Sequence, residues 1–152
     1  FDGKAWSDPR PAVAQYGSPT SATTLADKEV CFVFNGKVWR LDGEKWVEDS
    51  PPDKGAWYLA VSGKTLVCIG RRQAEEGGKK GAELWTSRRA SGGAWSAPEV
   101  FAKEELPAGR EGQLSLIAPQ FAPEGFVPVA WTLQGKAQWI RVLRIPVEQP
   151  KH

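Results

Sequence analysis

Three times along the chain a glycine is followed, three residues later, by a tryptophan: Gly3/Trp6, Gly43/Trp46 and Gly92/Trp95. The tryptophans are 40 and 49 residues apart. The surrounding sequence repeats as well. Ala5-Trp6-Ser7-Asp8-Pro9 matches Ala94-Trp95-Ser96-Ala97-Pro98 at four of five positions, and Asp42-Gly43-Glu44-Lys45-Trp46 shares Asp-Gly-x-x-Trp with the N-terminus. A repeat of this period restricts the chain to architectures that stack one supersecondary unit several times.

Asp-Gly between strands supplies the positive φ angles of a type I′ hairpin turn, so each of these tryptophans is predicted to open a strand. Two of the turns follow strands with a tryptophan of their own, Lys37–Leu41 with Trp39 and Glu83–Ser87 with Trp85. A third such strand, Ala137–Leu143 with Trp139, has no turn after it. Ahead of each lies a more apolar run: Val30–Phe34, Thr65–Ile69 and Phe126–Trp131. Ahead of those come Ser21–Ala26, Ala56–Val61 and Gln113–Ala118. Charged stretches rich in Pro and Gly, such as Glu48–Gly55 and Lys103–Gly112, separate the units. The order is one last strand, two full sets of four and a set of three. The count comes out whole if the N-terminal strand completes the C-terminal set. The chain then reads as a single domain over 1–152, with units at about 10–50, 51–100 and 101–152 plus 1–9.

Composition supports this reading. With 41% apolar and 25% charged residues, the 152-residue chain matches folded globular proteins. Eight Trp, sixteen Gly and twelve Pro suit short strands and tight turns. A net charge of +2 is too small for a nucleic-acid footprint, and apolar runs such as Val30–Phe34 and Ser115–Ala118 are too short to cross a membrane. The single histidine is the last residue, His152, which removes histidine general bases and most zinc sites. Cys31 and Cys68 lie inside apolar runs and read as small buried hydrophobes. No phosphate loop, metal spacing or nucleophile elbow is present, so no metal and no cofactor is expected. Opening at Phe1, the sequence reads as a mature product, an excised piece or part of something longer, and a secreted or periplasmic setting is the expectation.

The four-stranded unit with one Gly/Trp turn resembles a β-propeller blade. Ser91-Gly92-Gly93-Ala94-Trp95-Ser96-Ala97-Pro98 is similar to the Asp-box (bacterial neuraminidase) repeats of sialidase-like propellers, which read Ser-x-Asp-x-Gly-x-Thr-Trp. The Gly and Trp are kept; the positions of the Asp hold Leu41 and Ala90. The resemblance implies an all-β fold of three four-stranded antiparallel blades, half of a six-bladed ring, with the N-terminal strand completing the last blade. Single-ring propellers have about four to eight blades. Three therefore imply a second copy of the chain or a partner carrying the remaining blades. A sandwich of about twelve strands is the alternative fold.

In that frame Gly3, Trp6, Trp39, Gly43, Trp46, Trp85, Gly92, Trp95 and Trp139 are structural repeat positions, the indoles acting as wedges between blades. Trp57 has no aromatic counterpart, since Thr23 and Leu114 hold the matching places. It heads an inner strand, and inner strands line a propeller's channel, which makes it the candidate platform for a sugar. Arg71–Lys80 is the longest insertion, predicted as a hairpin-tip loop on the side of Asn35-Gly36, Gln134-Gly135, Arg110 and Glu111. Arg71, Arg72 and Arg110 are the candidate clamp for a carboxylate or phosphate. Leu143-Arg144-Ile145-Pro146 is similar to the Phe/Tyr-Arg-Ile-Pro of sialidases, but closes the last strand where theirs opens the propeller. Only Tyr16 and Tyr58 are available as a tyrosine nucleophile. The expected function is a non-catalytic binding or assembly module engaging a glycan or protein partner. A sialidase-like glycoside hydrolase with a site shared between halves, and a purely structural subunit, are the alternatives.

Overall fold

The computed structural model describes residues 19–25, 29–76, 79–105, 114–133 and 139–147; these form strands and no helix. The first sheet is an antiparallel meander of β1 (Ser21–Leu25), β2 (Glu29–Phe34), β3 (Lys37–Asp42) and β4 (Lys45–Glu48) in that order. The second runs β5 (Ala56–Ser62), β6 (Thr65–Glu76), β7 (Lys79–Ala90) and β8 (Glu99–Glu105). The third contains β9 (Leu114–Ile117), β11 (Phe126–Leu133) and β12 (Trp139–Pro146), with β11 central. Between β9 and β11 the chain contributes β10 (Phe121–Ala122), which pairs parallel to β5 and adds a fifth strand to the second sheet.

The fold is therefore all-β, and the first sheet is the expected four-stranded antiparallel one, whereas β10 adds a fifth strand to the four expected in the second. Only the first sheet has four strands; the second has five, and the third has three among the described residues. The first three strands of every predicted unit fall on observed strands. The N-terminal strand, with Gly3 and Trp6, lies outside the described residues.

Turn chemistry fixes the register. Asn35 and Gly36 join β2 to β3 with φ of 51° and 71°, the positive pair that a type I′ turn requires. At the β3–β4 hairpin the type I′ expectation fails. Asp42 still pairs with Lys45, and the two-residue loop is Gly43-Glu44, with positive φ at Gly43 alone. That is the pattern of a type II′ turn.

Two apolar clusters hold the sheets together. One joins Leu25, Cys31, Val33 and Val38 of the first sheet to Leu59, Leu66, Cys68 and Trp85 of the second. The other joins Val67, Ile69 and Leu84 of the second sheet to Leu116, Val127, Val129, Trp131 and Ile145 of the third. Neighbouring residues of β6 thus serve opposite clusters, and Leu66, Val67, Cys68 and Ile69 are each 0% exposed. The near-continuous apolar run of β6 has this cause: its sheet is covered on both faces. Each fully buried Leu, Ile or Val contributes about 1.5–3 kcal/mol.

First strands come together along one edge. The Ser21 hydroxyl accepts from the Leu59 amide (3.1 Å) and lies 3.4 Å from the Leu59 carbonyl, as a strand neighbour would. Thr20 Oγ1 donates to the Trp57 carbonyl at 3.0 Å, and Thr23 Oγ1 to the Gln120 carbonyl at 3.3 Å. Two buried polar side chains brace the second junction, where Trp131 Nε1 donates to Glu104 Oε1 at 3.0 Å.

Candidate functional site

Trp57 and Arg71, both singled out in the sequence, meet: the Arg71 guanidinium lies 4.9 Å from the indole centroid. Trp57 sits at an irregularity in the β5–β6 ladder, between the pairs Ala56↔Gly70 and Tyr58↔Ile69, and is half-buried against the second cluster. The backbone here is tied down closely. Arg71 N donates to Gly55 O at 3.0 Å and Ala56 N to Gly36 O at 3.1 Å, so the β2–β3 turn docks on Gly55. A side chain at Gly55, where φ is +84°, would put Cβ 2.3 Å from the Arg71 carbonyl oxygen. One face of Trp57 is thus stacked by a cation in a cation–π contact.

The predicted loop at Arg71–Lys80 is corrected. The segment continues β6 and β7 as a long hairpin, paired from Arg71↔Leu84 to Glu76↔Lys79. On a strand, adjacent residues point to opposite faces, so Arg71 and Arg72 do not converge on one anion. Arg72 is held by Asp53 and, at 2.8 Å, by Glu83, which also takes Lys103 at 3.1 Å. Arg110 lies outside the described residues, as do Glu111 and Gln134-Gly135. The Arg144 guanidinium covers the Phe126 ring at 4.8 Å.

A second polar cluster had no signal in the sequence. Arg89, on β7, has a side chain only 1% exposed and bridges the first two sheets. It bonds Glu29 and, at 2.7 Å, Asp49; Cys31 Sγ lies 3.6 Å away and the Trp95 ring centroid 5.0 Å away. Trp95 Nε1 donates to the Asp49 carbonyl at 2.9 Å. Ser91 Oγ (3.0 Å) and the Gly92 amide (3.2 Å) both donate to Glu29 Oε2. The Gly92/Trp95 segment is therefore a strap binding the second sheet to the first. It is irregular chain rather than the predicted strand, and β8 begins only at Glu99.

Burial raises the Glu29 carboxyl, but hydrogen bonds from Arg89 and Ser91 and the Arg89 charge outweigh it and hold the pKa at about 2. Burial pushes the Cys31 thiol up to about 12, and burial alone pushes Cys68 up. Neither is a nucleophile at neutral pH. A shallow cleft of about 280 Å³ opens beside the strap, lined by Thr65, Arg88, Trp95 and Ser96 among others. Glu29 and Asp49 both grip one guanidinium, so neither is available there as an acid or base. Among the described residues no three His, Cys, Asp or Glu gather as metal ligands.

The remaining tryptophans divide by position. Trp85 is fully buried opposite Gly70, whereas Trp39 is half-buried opposite Phe32 on the far face of the first sheet. Trp46 stands edge-on to Phe32, ring centroids 4.6 Å apart. Trp139 pairs with Leu133 in the β11–β12 ladder of the third sheet.

A third feature is apolar. On the third sheet Ile117, Ala130 and Val142 form one row across β9, β11 and β12, on the face turned away from the second sheet. Ile117 is 66% and Val142 70% exposed. Its trace in the sequence is that both strand parities of Phe126–Trp131 are apolar, so neither face of this sheet was built for water.

Compared with known proteins, the chain matches no family model, no curated protein and no solved structure.

Proposed function

We propose that the chain is a non-catalytic assembly module, an arc of three propeller-type blades that acts by joining its end sheets to further sheets. One observation carries this reading: the sheets stack with a repeated face order. The second sheet turns its Trp85 and Cys68 face to the first, and the third turns its Trp131 and Val129 face to the second. Cys68 lies two residues before Gly70, the partner of Trp85, and Trp131 two before Leu133, the partner of Trp139. With Trp85 and Trp139 taken as equivalent repeat positions, each sheet presents the same face to the one before it, which is what consecutive blades would do.

The chemistry of the polar clusters favours assembly over catalysis. Arg72 and Arg89 are each held by two carboxylates, and Arg89 ties sheet to sheet. Trp57 has a guanidinium on its ring, which weighs against a free sugar platform. Ile117 and Val142, left at 66% and 70% exposure, are the feature that binding to another sheet would use.

The test is the solution mass, by light scattering after size exclusion over a dilution series. Assembly predicts a mass above the 16.6 kDa of one chain. A chain that stays at 16.6 kDa at every concentration would refute the reading.

A further inference from the structure

We infer that Thr20 and Ser21 of the first sheet, with the Gln120 carbonyl, form a guard along the edge of β5 that faces away from β6. The guard keeps an aggregation-prone strand from pairing with the same strand of other molecules. The inference stands apart from the assembly reading, which concerns sheet faces and not strand edges.

The need for a guard is written in β5 itself. It reads Ala56-Trp57-Tyr58-Leu59-Ala60-Val61-Ser62, with no charge, no proline and no glycine. Short uncharged segments rich in aromatic and branched residues are the ones that stack into cross-β assemblies. On the side away from β6, the only strand that pairs with β5 among the described residues is β10, and only at Val61 and Ser62. Edge strands are usually protected by lysine or proline placed on the strand. None of the seven residues of β5 is of either kind.

The protection comes from other parts of the chain. Backbone groups on one edge of a strand belong to alternate residues, here 57, 59 and 61, and they are taken one after another. Thr20 Oγ1 donates to the Trp57 carbonyl at 3.0 Å. The Ser21 hydroxyl accepts from the Leu59 amide at 3.1 Å and donates to the Leu59 carbonyl at 3.4 Å. A hydroxyl serves both because it has one donor and two acceptor sites. The Val61 amide donates to the Gln120 carbonyl at 2.8 Å. Thr23 Oγ1 donates to that same carbonyl at 3.3 Å, so the two halves of the guard brace each other. Ser21 is 7% and Leu59 0% exposed, so the edge is covered as well as hydrogen-bonded. A second molecule reaches it only when β1 lifts away.

Amide hydrogen exchange and thioflavin T fluorescence, both on the whole chain, test this. In wild type the Leu59 and Val61 amides are expected to exchange as slowly as Val67 in the central strand β6, although they lie on an edge. Fast exchange at Leu59 in wild type would overturn the inference. Ser21→Ala removes both bonds to Leu59. It should speed Leu59 exchange roughly tenfold, the effect of losing hydrogen bonds of ordinary net strength, and leave β11 amides such as Val129 unchanged. The same variant should bind thioflavin T on incubation at concentrations where wild type does not. Ser21→Thr keeps a hydroxyl and should return both readouts to wild type. Faster Leu59 exchange with no gain of thioflavin T signal would show an open edge that adds no strand, and overturns the inference. A gain of signal that Ser21→Thr does not remove overturns it as well. If Ser21→Ala does not fold, Thr20→Ala decides: Thr20 is exposed and its loss frees only the Trp57 end. A rise in thioflavin T signal is then expected, and none would overturn the inference.

Discussion

Replacing Gly70 with alanine tests the junction between the first two sheets by the sign of its effect. Gly70 lies in β6 opposite Trp85. A Cβ there would stand 2.0 Å from indole Cζ2 and 2.1 Å from Cε2. Carbon atoms in contact sit about 3.5–4.0 Å apart, so one of the groups must move by roughly 1.5 Å. The indole has little freedom to do so, being 0% exposed and part of the cluster that includes Cys31, Val33 and Val38. On backbone grounds alone the change would help, since alanine in a strand interior gains about 0.5–1 kcal/mol over glycine. Overpacking a closed site costs about 1–3 kcal/mol, and an overlap this deep lies at the upper end. The net expectation is a loss of about 2 kcal/mol, roughly 4–8 °C in melting temperature for a chain of this size. Trp85→Leu removes the obstructing ring at a cost of about 3 kcal/mol. In that background Gly70→Ala becomes neutral or slightly stabilising, which gives a coupling of about 2 kcal/mol. Urea unfolding of the four proteins, followed by far-UV circular dichroism, reads this directly. A Gly70→Ala protein as stable as wild type, or an equal loss in both backgrounds, would refute the indole-over-glycine packing.

The remaining expectations concern the strap and the thiols. Glu29 falls from its ordinary value of 4.5 to about 2 on folding, so its stabilisation is present above pH 4.5 and is lost as pH drops toward 2. Discounted for solvent screening, the shift corresponds to about 1–2 kcal/mol at neutral pH. Glu29→Gln should lower neutral stability and flatten the acid limb of the pH–stability curve; an unchanged acid limb would exclude the Arg89 bridge. Cys31 and Cys68 are free, buried and raised in pKa. Ellman's reagent should find both thiols only after unfolding, and fast reaction in the native state would show that the interface between the first two sheets opens.

Much of the strand layout was written in the sequence, because it rests on short-range signals. Val30–Phe34 and Thr65–Ile69 are apolar at both parities, and both became central strands. Asn35-Gly36 demands positive φ and received it. What escaped has physical reasons. Arg71–Lys80 extends beyond the core, where no apolar alternation marks a strand, so alternating charges and two glycines read as a loop. The β3–β4 turn moved by one residue because Asp-Gly and Gly-Glu both satisfy a two-residue hairpin, and only the cross-strand register chooses. Gly70 carries no short-range signal, because what forbids a side chain there is Trp85, fifteen residues on and across the β6–β7 ladder. The Arg89 bridge was invisible because its carboxylates, Glu29 and Asp49, come from 60 and 40 residues away. Trp57 and Arg71 each stand out in the sequence for a separate reason, and their contact arises from the β5–β6 register.

Three sheets stack with the second in the middle. Spin labels at Thr24→Cys and Val142→Cys, on the outward faces of the first and third sheets, measure that arrangement. The native thiols are buried and do not compete. Diluting the labelled protein with unlabelled chain isolates distances within one molecule. Stacked sheets lie about 10 Å apart, so a three-layer stack places the two labelled backbones about 20 Å apart, with the reach of both labels added outward. Dipolar spectroscopy should find a single population at or beyond that distance. A population at about 10 Å of backbone separation, with the first and third sheets in direct contact, would contradict the stack and leave a two-layer sandwich in its place.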